Sequence, residues 1–452
     1  MFERDYQQEM ERISLSPDAM ARIADAMAAE PAVPPRRHPK LRVFLVAAAL
    51  CVALTATVLA ASPGLREQLF AALGDFAPYS REIGKASAVD QDFEISVLSA
   101  VTDQYRMKLY VQVQDLTGER MIDENTQIWA KLQRDSGEAN VLSDCVAFDP
   151  DTHTALFEIN EEREEPSDLQ ENIRFWVGYV WPQVYDFETS EPLPTELISE
   201  EVLDCMTLDD GQVVLKPGQT PAPLSGFDKA ELSSMGFAAD GSFQVLVQLA
   251  DGGLLEWGEG HRESLLLTNL YIDGEPSTNS QDIRFELDGK SYVGISFPNV
   301  SPKDLDKLTL SDAYGTVLMS APIMGEWEVP FQVENYPVME LTLTGEAEGE
   351  RLPTQLILTP LGAMIKGEWE MGYRGNAPFA VVRKDGTRLE EVRISYGRMS
   401  PTKVCVLGNW WFLEPLELED AVALELYPWY IPLTGEDAGH AYSMIDHAGS
   451  NS

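Results

Sequence analysis

Nineteen consecutive residues, Val43–Ala61 (VFLVAAALCVALTATVLAA), carry no charge. At about 1.5 Å of rise per residue, a helix of this length nearly crosses a hydrocarbon core of roughly 30 Å. A soluble buried helix is the competing reading, and the flanks argue against it. Arg36, Arg37, Lys40 and Arg42 crowd one side, whereas Ser62-Pro63-Gly64 follow the other, with Arg66 the nearby base. That bias places the N-terminus in the cytoplasm. A cleaved signal peptide would need a 42-residue leader before the apolar run, far longer than usual, although the small residues of VLAAS would suit a cleavage site. The expectation is an uncleaved single anchor in the cell membrane, with the C-terminal modules extracytoplasmic.

Charge follows the same division. The acids and bases of the first 61 residues cancel, so the whole net charge of −41 falls on residues 62–452. An exterior this acidic repels phosphates, which argues against direct nucleic-acid binding. Colloidal stability accounts for it, with attraction of cations or of a basic envelope component as the alternative. Of the four cysteines, Cys51 lies in the apolar run. Cys145, Cys205 and Cys405 follow it without metal-type spacing, and three cannot all pair. Reduced thiols are expected, with a Cys145–Cys205 bridge as the alternative.

Residues 62–87 read as a juxtamembrane helix and linker. Ser62 can cap and Pro63 suits the first helical position. Leu65, Leu69, Leu73 and Phe76 recur on one face, more suited to packing than to lying on lipid. From about residue 90 the period changes to two, as in MKLYVQVQD and SFQVLVQLADGG, with Asp-Gly turns between the alternating runs. A Pro-x-acid-Leu segment recurs at Pro166, Pro302 and Pro415, each time ahead of an alternating strand. It suits a loop crossing between two sheets: the proline stops one ladder, the acid caps a turn and the leucine plugs the core. The fold class expected is therefore mainly β: short cytoplasmic helices (1–35), one transmembrane helix (43–61), then tandem immunoglobulin-like β-sandwich modules. Their expected bounds are 88–215, 227–330 and 331–437, with a Pro/Gly-rich linker at 216–226 and a disordered tail at 438–452.

Catalytic chemistry is not legible. The five histidines form no HExxH pair and no G-x-S-x-G elbow occurs. Glycines 252–260 read as a hairpin, and Asp149–His153 (DPDTH) as a plain turn rather than a calcium loop. Trp176, Trp181, Trp410, Trp411 and Trp429 are expected in core or rim positions rather than on a sugar-binding platform. No enzyme activity, cofactor or metal is expected.

The N-terminal segment carries a different pattern. Tyr6, Met10 and Ile13 share a helical face. Ser16, Pro17 and Asp18 then open a second helix, with Leu15 and Met20 as a hydrophobic staple and Met20, Ile23 and Met27 as its stripe. Helices this short cannot bury a core alone, so the stripe wants a partner surface. The inner leaflet is the alternative, but Asp18 and Asp25 beside Arg22 make the polar face less basic than lipid binding favours.

These segments, together with AASPGLREQLFAALGDFAPY and FEISVLSAVTDQYRMKLYVQVQDLTGERM, resemble the membrane-anchored bacterial proteins, mainly of Firmicutes, that carry domain of unknown function 4179. The resemblance covers about residues 6–135 and beyond that is only architectural. It implies an anti-sigma-factor-like partner of an extracytoplasmic-function sigma factor. The zinc-binding His/Cys arrangement of one class of anti-sigma domains is missing here, so that subtype does not apply. The resulting expectation is a single-pass regulator. The partner-binding stripe is Tyr6, Met10, Ile13, Leu15, Met20, Ile23 and Met27. The topology anchors are Arg36, Arg37, Lys40 and Arg42. The outer modules would sense an envelope signal or ligand, or protect a cleavage site near residues 61–90. The rivals are a surface-anchored binding or scaffold protein and, less favoured, an envelope hydrolase with a clustered acid pair.

Overall fold

The structure is a computed structural model that describes residues 63–83, 86–119, 122–134, 137–257, 262–277, 279–345, 352–369, 379–390, 392–399, 405–427 and 429–444. The expected cytoplasmic helices, the apolar run, the partner stripe, the basic anchors and Ser62 lie outside them. No helix among the described residues is long and apolar enough to cross a membrane.

The chain is mainly β. Helix α1 (Pro63–Leu73) is followed by a 3-10 turn (Gly74–Tyr79) and then by strands. Gly74, at φ +49°, takes the left-handed conformation that commonly closes a helix. The first body is built from β1 (Phe93–Thr102), β2 (Arg106–Asp115), β3 (Gln127–Arg134), β4 (Gly137–Asp149), β5 (Thr154–Glu162), β6 (Gln170–Trp181), β7 (Val184–Pro192) and β8 (Ile323–Glu334). All but β7 join one nine-stranded sheet whose inner order is β1-β2-β5-β4-β3-β6-β8. Strand β4 is shared: Val141 and the residues before it pair with β3, while Leu142 onward pairs with β5. The sheet therefore folds at β4 into two layers facing each other. Phe93, Leu109, Val111 and Phe157 from one layer meet Phe175, Val177, Trp327 and Val329 from the other in a single core.

Strand β8 corrects the expected boundaries. It alternates strictly, with Trp327, Val329, Phe331 and Val333 inward, and pairs with β6 from Ile323↔Val180 to Glu334↔Gln170. The expected break at 330/331 thus falls inside a strand of the first body. The second body lies in sequence between β7 and β8, and β7 itself pairs with Asp312–Leu318 of that body. Residues 193–215 also belong to it: Leu193 and Ile198 enter its core, and Val214 packs with Leu246 and Phe285. Nor is 216–226 a free linker. Ala222–Leu224 forms an edge strand on Phe227–Phe237, Leu224 is buried and the Ser234 hydroxyl donates to the Lys216 carbonyl at 2.7 Å. Pro223 is tolerated because an edge strand leaves one side of its ladder unpaired.

The third body carries its own core, including Leu356, Leu358, Ile365, Trp410, Phe412, Leu424 and Trp429. The tail expected to be disordered is partly built into it: Tyr442–Ser443 pairs with Trp429–Pro432, and Ala441 is buried. Residues 445–452 lie outside the described residues.

Each Pro-x-acid-Leu segment links strands of different sheets or of different layers of one sheet, but the details vary. Only Pro302–Lys307 forms a helical turn, with Ser301 and Asp304 making a reciprocal cap. Leu305 and Leu418 pack on their cores, whereas Leu169 is 53% exposed and plugs nothing. The hairpin reading of 252–260 agrees with the pairing of Glu256–Trp257 with Arg262–Glu263. Cys145 and Cys205 are free thiols rather than a bridge, and burial pushes the Cys145 thiol up to about 11.

Trp327 carries the closure. Its ring meets Phe93 edge-on at 6.4 Å between centroids, and its Nε1 donates to the carbonyls of Asp90 (3.1 Å) and Phe93 (3.0 Å). Trp327→Ala is expected to cost about 3–5 kcal/mol. It should deprotect β6, far away in sequence, in hydrogen exchange. Deprotection confined to residues 312–345 would contradict this assignment of β8.

Candidate functional site at the joint of helix and third body

The residues expected to contact a partner, Tyr6 to Met27, lie outside the described residues. What the structure does place is the segment that follows the apolar run. Helix α1 buries Leu65, Leu69 and Leu73 on one stripe, and Phe76 continues it in the next turn. The stripe packs on β4 and β5. Its apolar cluster includes Val101, Tyr110 and Leu156 of the first body and Leu361 and Trp411 of the third. Three parts of the chain therefore share one small core.

Polar groups ring this core. The Tyr110 hydroxyl lies 3.2 Å from the Ala72 carbonyl and 2.9 Å from Glu158 Oε2, and can donate to one at a time. Burial, reinforced by the Glu158 anion, raises its pKa well above the usual phenol value. Lys108 Nζ, 3.4 Å from Glu158 Oε1, sits between two rings, 5.1 Å from the centre of Phe76 and 5.6 Å from that of Trp411. A cation between faces holds helix turn and third body at once, each such contact contributing about 0.5–2 kcal/mol.

The turn between β1 and β2, Asp103-Gln104-Tyr105-Arg106, projects into the third body. Asp103 Oδ1 accepts from the amides of Tyr105 (2.7 Å) and Arg106 (2.8 Å) and so shapes the turn. The fully buried Arg106 donates through Nη2 to the Ala363 carbonyl at 2.6 Å and to Asn409 Oδ1 at 3.3 Å. Asn409 Nδ2 in turn donates to Glu162 Oε2 at 3.2 Å, and Trp411 Nε1 donates to the same carboxylate. Gly362 is required here: a Cβ would stand 2.1 Å from the Trp410 carbonyl oxygen and 3.0 Å from Arg106 Nε. Tyr105 extends the contact, donating to Glu340 Oε1 at 2.7 Å. Where the chain leaves β8, Thr102 Oγ1 donates to Asn335 Oδ1 at 2.6 Å, and the Tyr336 amide donates to the Thr102 carbonyl at 2.9 Å.

The electrostatics are those of a dry joint. Burial raises the Asp103 carboxyl and lowers the Arg106 guanidinium, and in each case the attraction between the two opposes the shift. A neighbouring network, Arg134–Glu161–Arg163–Glu171, ties β3, β5 and β6 together. Among the described residues, no cluster of His, Cys, Asp and Glu could hold a metal ion. Trp181, Trp410, Trp411 and Trp429 are buried, while Trp176 is half-buried beside Trp129. The joint brings the helix together with two β-bodies. The sequence does not mark Asp103 and Arg106 as buried, because charges at a strand edge ordinarily face water. The one signal was a charged pair flanked by apolar residues in SAVTDQYRMKLY.

No protein-family model matches the chain, and no curated protein is found to be similar to it. A solved structure to which it is similar is that of a conserved domain protein from Bacillus anthracis, at 9% identity, over 74% of this chain and 92% of that one. The TM-score is 0.18, too low to support any inference about fold or function.

Because its carboxyl pKa is raised by folding, Asp103 favours the native state most when protonated. Its contribution is full below the unfolded value and is lost as pH rises through the higher folded one. Asp103→Asn keeps the acceptor for the two amides and removes the buried charge. Its Tm relative to wild type is expected to climb from pH 4 to pH 8. A difference that stays flat or falls over that range, in paired thermal melts, would contradict this.

Proposed function

We propose that this chain is a single-pass membrane regulator of the anti-sigma-factor-like kind, with its N-terminus inside the cell and its β-bodies outside. In this reading the stripe Tyr6, Met10, Ile13, Leu15, Met20, Ile23 and Met27 binds an extracytoplasmic-function sigma factor. The acidic outer bodies, read as tandem immunoglobulin-like sandwiches with the second inserted into the first, take an envelope signal. The observation that carries the reading is continuity: the uncharged run Val43–Ala61 leads within two residues into α1, whose apolar stripe is buried in the β-bodies. A mere tether would be better served by a flexible linker at that point. The resemblance of residues 6–135 to the domain-of-unknown-function 4179 proteins supports the same reading.

A surface-anchored binding protein is the second reading. It is favoured by the half-buried Trp129, Trp176 and Tyr179, which contact one another around Gly178 away from the first core. Capture on residues 1–40 separates the two. A retained sigma factor, lost with Ile23→Asp together with changed target transcription, is expected from the regulator. If no sigma factor is retained and Ile23→Asp leaves transcription unchanged, the regulator reading fails. The binding protein instead predicts that deleting residues 1–30 leaves function intact.

A further inference from the structure

We infer that the third body is a latch on the membrane-proximal segment: its docking holds α1 and the turn after it in place, and its undocking loosens them. As a regulatory device this rests on the reading of the chain as a membrane regulator; as a coupling it rests on the joint alone.

Eleven residues of helix are marginal on their own in water, so α1 depends on what covers its apolar stripe. Part of that cover belongs to the third body, through Leu361 and Trp411. The turn after the helix depends on the third body more directly. Phe76 and Trp411 hold Lys108 between them. Burial, together with the Glu417 anion nearby, raises the Tyr79 phenol well above its usual value. Glu417 is the acid of the third Pro-x-acid-Leu loop, which thus lies close to this turn. The Tyr79 ring also meets that of Tyr336 at 5.5 Å, and Arg81 lies 5.1 Å over the Tyr336 ring, at the entry to the third body.

The rest of the docking surface is polar and local. Arg106, Asn409 and Glu162 form a short chain of hydrogen bonds whose buried groups are costly to leave unpaired. Such a surface favours two arrangements, closed with these bonds made or open with the groups wet, and little between them. A ligand or force acting on the third body therefore has a physical route to the segment adjoining the apolar run, without the first core unfolding.

Hydrogen exchange on the full-length protein in detergent tests the latch. Arg106→Met breaks the polar joint and touches no helix residue. Exchange across residues 69–80 is expected to accelerate at least about tenfold while β5 keeps its protection. If 359–364 and 405–412 open but 69–80 stays as protected as in wild type, the latch is wrong. No change in either segment also overturns it, since docking would then not depend on these contacts. Should Arg106→Met deprotect β5 as well, the pair Leu361→Ala and Trp411→Ala, both in the third body, decides by the same criteria. The readout uses no sigma factor. Failure of capture on residues 1–40 would leave the latch standing, and failure of the latch would leave the capture result untouched.

Discussion

The first core cannot close until β8 returns to β6. Trp327, Val329 and Phe331 supply one wall of it, and Trp327 Nε1 satisfies the carbonyls of Asp90 and Phe93 on the opposite layer. Everything between β7 and β8 must therefore form a body whose ends lie close together. The pairing of β7 with Asp312–Leu318 supplies that, since it brings the exit and the re-entry of the insertion side by side. Because β8 ends at Glu334, the chain enters the third body beside the turn that carries Asp103 and Arg106. The joint of helix and third body is in that sense a consequence of where one strand finishes.

Polar burial at the joint serves specificity more than stability. A buried charge recovers little of its desolvation cost, and removing its hydrogen-bond partners is expensive because the remaining groups are left unpaired. Arg106 places its Nη2 donors on groups that only the third body offers, Ala363 and Asn409. An apolar side chain there would stick to many surfaces, whereas a guanidinium accepts one register. Gly362 makes the same point through shape, because no other residue leaves room for the Arg106 side chain beside the Trp410 carbonyl.

What could be read from the sequence follows from which forces are local. The period-two runs in MKLYVQVQD and SFQVLVQL became strands because alternation is a property of the strand itself. The stripe Leu65, Leu69, Leu73, Phe76 became a buried helix face for the same reason. Partnership was not local. The alternating run 323–334 could be recognised as a strand, but nothing in it says that it pairs with residues 170–180 rather than with its neighbours. The proline-rich 216–226 looked like a linker because Pro and Gly punctuate edges as readily as loops. The tail from 438 was missed because two paired residues and one buried alanine leave no periodic trace. Asp103 and Arg106 were passed over because the sequence marks charge, and only packing marks burial.

Net charge sets the background against which these contacts form. With 74 acids against 33 bases, almost all of the imbalance on the described bodies, like charges push the bodies apart. Few cations are available, and several are spent where chain segments meet: Lys108 between Phe76 and Trp411, Arg106 among third-body carbonyl and amide groups, Arg81 on Glu334, and Lys366 on the Glu164 carbonyl. Repulsion among exposed acids is screened over about 10 Å at 0.1 M salt, whereas the buried Arg106 contacts are screened much less. Low ionic strength or loss of counter-cations should thus strain the docking of the third body from outside while leaving its buried hydrogen bonds unchanged. The closed joint is the balance of a dry local attraction and a diffuse repulsion, and the second of these is open to the composition of the medium.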